Sequence, residues 1–228
     1  MHVRHQLPKL AIIVLLICAA GAAYAFPSVA RKTKMSCATC HTNVAGGADL
    51  TDAGKAYKAD NTKVPAASVE GADYQGSNKC KMCHKKEHTS WLDSKHAHAF
   101  EALTSGDKDK QAAQATAAGV KLDGPASANP ACIGCHTVGF ELKGGYPPAD
   151  TSKTASYSAV GCEMCHGPSS KHTAAEKGHK KDFITIPKSD AMCKDCHTAA
   201  MSPKFAYDEY KKKAAHALPD SLAPAPAK

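Results

Sequence analysis

Apolar side chains crowd one end of this chain and are sparse everywhere else. A run from Leu10 to Ala20 follows Arg4 and Lys9 and precedes Ala23-Tyr24-Ala25, the order of a basic region, a hydrophobic stretch and a small-residue cleavage site. Residues 1–25 are therefore read as a secretory signal peptide, leaving a mature chain of 26–228. Cys18 leaves with it, since the bulky Ile17 stands where a lipid-anchor site carries a small residue. Beyond the signal, three stretches carry a helical signature. Lys85 to Leu103 is predicted as the main helix, with Trp91, Leu92 and Phe100 as its apolar anchors. Lys108 to Ala118, rich in alanine and glutamine, is predicted as a second, and Asp208 to Ala217, stopped by Pro219, as a last. Everything else reads as connection, so the expected fold class is mainly α with extensive loops and little or no sheet.

The same pattern divides the chain. Residues 26–72 form an N-terminal segment, polar from Ser36 to Val64 and linker-like from Pro65 to Ala72; 73–217 form a larger core; and 218–228, alternating Pro and Ala, form a flexible tail. Leu, Ile, Val and Phe together supply only 22 of the 203 mature residues. That is well below the ~20% at which a chain can build an ordinary core. Either most of the polypeptide is unfolded, or something apolar that is not amino acid fills its centre.

The cysteines choose between these. All ten mature cysteines fall in pairs of one spacing, each followed at once by histidine: Cys37-Ala-Thr-Cys40-His41, Cys80-Lys-Met-Cys83-His84, Cys132-Ile-Gly-Cys135-His136, Cys162-Glu-Met-Cys165-His166 and Cys193-Lys-Asp-Cys196-His197. C-x-x-C-H is the attachment signature of c-type haem. Two thiols three positions apart add to the two porphyrin vinyl groups, and the following imidazole binds iron from one face. A zinc site, a dithiol redox pair or disulfides would use the cysteines without requiring the histidine. The expected cofactors are five covalently attached haems c, which supply the missing interior, and folding is then coupled to their attachment.

Haem also changes the charge. The mature polypeptide carries a formal +6, but two ionised propionates on each ferric haem bring the oxidised protein to about +1, so the basic pI is no argument for nucleic-acid binding. The runs Lys177 to Lys181 and Lys211 to Lys213 are read as solvated surface.

Function turns on the second axial ligands, since a haem with two protein ligands passes electrons and one with a vacant face binds small molecules. Six mature histidines lie outside the motifs: His88, His96, His98, His172, His179 and His216. The methionines lie inside or beside motifs, apart from Met201, and are read as filler, so bis-histidine haems of low potential are expected. On a continuous helix His96 would lie about 18 Å from His84, too far to share its iron, and about 200° around the axis from His98.

The stretches Tyr74-Gln-Gly-Ser-Asn-Lys-Cys80 through His84, Ser90-Trp91 with Ser94-Lys-His96-Ala-His98-Ala99, Ala131 to His136 running on to Gly139-Phe140 and Lys143 to Tyr146, and Val160-Gly-Cys162 to Pro168 resemble the cytochrome c-554 family of small exported tetrahaem cytochromes. The resemblance spans Tyr74 to about His216. It implies a multihaem cytochrome c fold organised around stacked haems. It further implies that His96 caps the haem on His197, that His172 or His179 caps that on His84, that His216 caps that on His166, and that the haem on His136 lacks a distal protein ligand. The motif at Cys37 to His41 is an addition to the family pattern, its distal ligand unassigned among the spare His88, His98 and His179.

Three readings follow. The first is an electron carrier between redox-protein donors and acceptors, not an enzyme, with a membrane-associated quinol oxidase or reductase among the partners it admits. The second is a reductase or oxidase with an open site at the haem on His136. The third is a self-associating subunit of an extracellular cytochrome filament. The carrier is the favoured one, located in the periplasm or secreted, with a role in respiration.

Overall fold

The computed structural model describes residues 27–187, 189–214 and 216; the segments predicted as signal peptide and tail lie outside them. Short helices joined by long connections make up the described chain: α1 (Pro27–Thr33), α2 (Cys37–Cys40), α3 (Asp52–Ala59), α4 (Ser77–Cys80), α5 (Lys85–Leu92), α6 (Glu101–Thr104), α7 (Lys108–Ala117), α8 (Pro130–His136), α9 (Cys162–His166), α10 (Ser170–Ala174) and α11 (Tyr207–Ala214). Among the described residues there is no strand, only an isolated antiparallel bridge between His41 and Leu50. The mainly helical, loop-rich class expected from the sequence is what is found.

Local chemistry sets the helix starts. Thr51 accepts from the Gly54 N–H at 3.1 Å to open α3, and Asp107 accepts from the N–H groups of Asp109 and Lys110 to open α7. Asn129 caps α8, whose first residue, Pro130, lacks an N–H that would have gone unpaired.

The long helix predicted over Lys85 to Leu103 is not continuous. It stops at Leu92, passes through turns and resumes only as α6. Tertiary bonds take the carbonyls the helix would need. The His98 Nε2 donates to the Leu92 carbonyl at 3.0 Å, and the Val160 N–H to the His96 carbonyl at 3.0 Å. Leu92, expected as an anchor, is 45% exposed. Trp91 does anchor the segment, its indole N–H donating to the Val160 carbonyl at 3.1 Å. The other two predicted helices are present, as α7 and α11, with residues 215 and 217 of the latter prediction outside the described residues.

The apolar core is small: among the described residues, five of the twelve buried hydrophobic ones are alanine. Its centre is Tyr74, Val138 and Tyr157, with Leu142, Tyr146 and Met164 against it. This nucleus ties the segments entering the second and fourth motifs to the loop leaving the third. Gly139, at φ 60°, lies under the Tyr74 ring, where a Cβ would collide with it. The N-terminal segment folds on itself, Ser36 N donating to Ser68 Oγ and Val69 N to Thr39 Oγ1. It also touches the rest of the chain, through Arg31 against Gly134 of α8, a Lys34–Glu141 ion pair at 3.3 Å and Asn43 Nδ2 donating to the Ile184 carbonyl at 3.4 Å.

Candidate haem-binding sites

Each attachment motif forms a single turn, so that Cys, Cys and His project from a compact unit. α2, α4 with its following turn, α8, α9 and a 3-10 turn at Cys193–Asp195 carry them. In the first, second and last motifs the N–H groups of His41, His84 and His197 donate to the carbonyls of Cys37, Cys80 and Cys193, and in the other two the histidine is the last residue of α8 or α9.

Three motif histidines face a histidine from far along the chain. His84 and His172 have ring centroids 6.2 Å apart, His96 and His197 6.1 Å, and His166 and His216 6.0 Å. The first and last pairs are nearly parallel, at 29° and 30°. Imidazole nitrogens bound about 2.0–2.1 Å on either side of one metal ion, with each ring centre about 1.1 Å behind its nitrogen, give a centroid separation of about 6.3 Å. Among the described residues no three His, Cys, Asp or Glu side chains converge to hold a bare metal ion. The donors come in pairs, which suits a metal whose remaining ligands are brought by a ring.

The imidazoles are also held in the required tautomer. Nδ1 of His136 donates to the Ala99 carbonyl at 2.5 Å, that of His166 to the Thr185 carbonyl at 2.8 Å and that of His172 to the Lys180 carbonyl at 2.8 Å. A carbonyl only accepts, so the proton sits on Nδ1 and the Nε2 lone pair is left free for a metal. His197 Nδ1 lies 2.9 Å from Ser202 Oγ, and Phe205 stacks on its ring at 4.8 Å. Burial holds His96, His166 and His197 below the ordinary imidazole pKa, in the neutral form that binds metals.

The spare histidines separate cleanly. His98 donates from Nε2 to the Leu92 carbonyl and from Nδ1 to Glu101 at 3.1 Å, and these contacts, Glu101 foremost, raise its pKa. With both nitrogens donating it has no lone pair for iron. His179 is exposed and its Nδ1 is engaged by Asp182 at 3.1 Å. His88 is buried against Trp91, and its Nε2 meets no hydrogen-bond partner. His41 is buried at 3% exposure. His136 makes no ring contact with another histidine among the described residues.

The cysteines place the motifs beside one another. The Cys80 thiol donates to Cys162, raising its own pKa and lowering that of Cys162, and Cys196 stands in the same relation to Cys135. Burial pushes Cys37 up to about 11 and Cys165 up to about 12, the latter also beside Cys193.

Two further residues, not marked by the motif pattern, belong to these sites. Arg31 lies against α8, lowers the pKa of Cys135 and has an Nη1 shielded from solvent with no hydrogen-bond partner. Glu163, 1% exposed inside the fourth motif, accepts from Gln75 N, Gly76 N, Ser169 N and Ser169 Oγ. Only its place between two attachment cysteines could have drawn notice to it. The carbonyls that orient the histidines carry no side-chain signal at all.

Residues 79–167 match the family described as cytochrome c554 and c-prime. Cytochrome c-554 of Nitrosomonas europaea is 37% identical over 126 residues, 52% of this chain and 50% of that protein, so the chain spans half the length of this relative. The solved reduced state of cytochrome c554 from Nitrosomonas europaea is 26% identical, over 64% of this chain and 85% of that one, with a TM-score of 0.47. Among the described residues no helix is long and apolar enough to cross a membrane.

Proposed function

We propose that this chain is an exported multihaem c-type cytochrome that relays electrons between redox proteins, carrying five haems on its five attachment motifs. The observation that carries the reading is the set of three histidine pairs at 6.0–6.2 Å, each joining a motif histidine to one 50 to 101 positions distant. When bound, haem supplies a reversible one-electron iron couple with no proton chemistry of its own. The residues that would hold it are the ten cysteines of the motifs through thioether bonds and His41, His84, His136, His166 and His197 as proximal ligands. His172, His96 and His216 would complete the sites of His84, His197 and His166. His88, with a buried and unpartnered Nε2, is the spare histidine best suited to a further axial position. The orphaned Arg31 Nη1 fits a propionate.

The pairing of Cys80 with Cys162 and of Cys135 with Cys196, with Cys193 near enough to Cys165 to raise its pKa, supports an order of neighbouring sites from His84 to His166 to His197 to His136. Ala45 packs on Gly167, which brings the N-terminal site to the flank of the His166 motif. The test is the intact mass of the native protein with low-temperature electron paramagnetic resonance. Five haem additions and predominantly low-spin signals are expected; a colourless product, or one with free thiols or zinc at the pairs, would end the reading.

One observation favours small-molecule binding at the third motif, the absence of a facing histidine ring at His136 among the described residues. A high-spin signal that is lost on adding nitric oxide would support it, and five low-spin signals indifferent to nitric oxide would remove it.

A further inference from the structure

We propose that Lys79, Lys81, Lys85 and Lys86, set around the exposed Met82, form the docking face for an acidic redox protein, and that the site of His84 is where electrons cross to it. The inference rests on the cytochrome reading and adds to it the place and the chemistry of the partner.

Of the five motifs, Cys80–His84 alone is turned outward. Lys79, Lys81, Met82, Lys85 and Lys86 are all exposed, Met82 by 77%. By contrast Thr39, Ile133 and Glu163, lying between the cysteines of three other motifs, are 3%, 7% and 1% exposed. Met82 supplies a flexible, polarizable apolar centre that adapts to varied partner surfaces.

The charge here is concentrated and uncompensated. Four lysines fall within the eight residues 79–86, with no acid among them. Elsewhere lysines are commonly neutralised within their own turn: Lys55 by Asp52, Lys63 by Asp60, Lys110 by Asp107, Lys153 by Asp150 and Lys194 by Asp190. Among the described residues none of Lys79, Lys81, Lys85 and Lys86 forms an ion pair. The next acid, Glu87, is turned in toward His84, 4.0 Å from its Nδ1. The field of this face is therefore directed outward. Shallow clefts flank it, one between Met82 and Lys153 and the other between Lys86 and Asp93. An apolar centre with a basic rim is the complement of an acidic protein face with an apolar centre, and unpaired surface charge acts chiefly on the rate of encounter.

The experiment uses the haem-loaded chain, with mass and visible spectrum recorded first. The triple variant K81E/K85E/K86E is compared with K108E/K110E/K121E, which carries the same net charge change on exposed lysines elsewhere. Stopped-flow measures reduction by an acidic flavodoxin hydroquinone at low and moderate ionic strength, and by an uncharged small reductant. The expected result is a fall of about tenfold or more in the second-order rate for the first triple at low salt, with loss of most of its salt dependence. The second triple should slow less than threefold, and the uncharged reductant should not distinguish the proteins. The graded neutral variants K81Q, K85Q and K86Q should fall between. Equal slowing by both triples, or none by the first in a fully loaded chain, would overturn the docking face and leave the cytochrome reading intact. A chain without haem would overturn both. Binding to phosphatidylglycerol vesicles that K81E/K85E/K86E abolishes, with no change in the flavodoxin rate, would overturn the proposal in favour of a lipid surface.

Discussion

Glu163 shows how much a single buried side chain contributes to this chain. Its two oxygens gather the N–H groups of Gln75, Gly76 and Ser169, which brings the approach to the second motif against the fourth. Burial pushes its carboxyl above the ordinary range, while the Ser169 hydroxyl and the backbone N–H groups pull it back. Replacing it with Ala strands three donors in the interior, at about 1–3 kcal/mol each, so Glu163→Ala should cost about 3 kcal/mol or more. Glu163→Gln keeps the shape and one oxygen and should fall between it and the parent. Chemical denaturation of the loaded protein, followed by visible absorption, measures both. Histidine offers a second contrast at this scale. His96 faces His197, whereas His98, two residues away, donates from both nitrogens. His96→Ala should convert one haem to high spin and His98→Ala should leave the spectrum unchanged, a difference that electron paramagnetic resonance reads directly.

At the scale of elements, local signals succeed where the chain is left to itself. α7 is an example: the capping Asp107 and a run of good helix formers give Lys108–Ala117, within one residue of the prediction. The backbone N–H of Lys110 is the main influence holding the Asp107 carboxyl below its ordinary pKa. A carboxyl with a lower pKa folded than unfolded adds stability that is complete above the ordinary carboxylate range and is lost as pH falls through the depressed value. Asp107→Ala should therefore lower the denaturation midpoint at neutral pH, and the gap to the parent should close as pH is taken below the ordinary carboxylate range and through the depressed value. Where remote partners compete, the sequence is a poorer guide. The 85–103 segment has helical periodicity, but its break is made by Val160 and by the turn of His98 toward Leu92, and neither is visible in the segment's own pattern. The separation of His96 from His84 by helical rise presumes a continuous helix, and α5 ends at Leu92, although His96 does lie beside His197. The five C-x-x-C-H motifs are legible as a pattern because their residues are contiguous; Arg31 and the carbonyls that orient the imidazoles are not, because their meaning comes only from what they touch.

The whole molecule is organised around two unequal supports. Residues 73 onward share the Tyr74–Val138–Tyr157 nucleus, and the fourth motif enters it through Met164 and Glu163. The N-terminal motif makes no part of that nucleus. It is held by its own turn, by α3 against Cys40, and by separate contacts to the rest of the chain at Gly134, Glu141, Gly167 and Ile184. With so little polypeptide core available, loss of a haem should be tolerated only where the protein around it has other means of support. Cys37→Ala with Cys40→Ala should then yield a folded four-haem protein, whereas Cys162→Ala with Cys165→Ala should remove the nucleus along with its haem and leave little protein to recover. Native mass spectrometry and the yield of coloured protein measure the contrast. Equal loss from both double variants would mean that the N-terminal site is as integral to folding as the core sites, and equal survival would mean that the small apolar nucleus suffices without its haem.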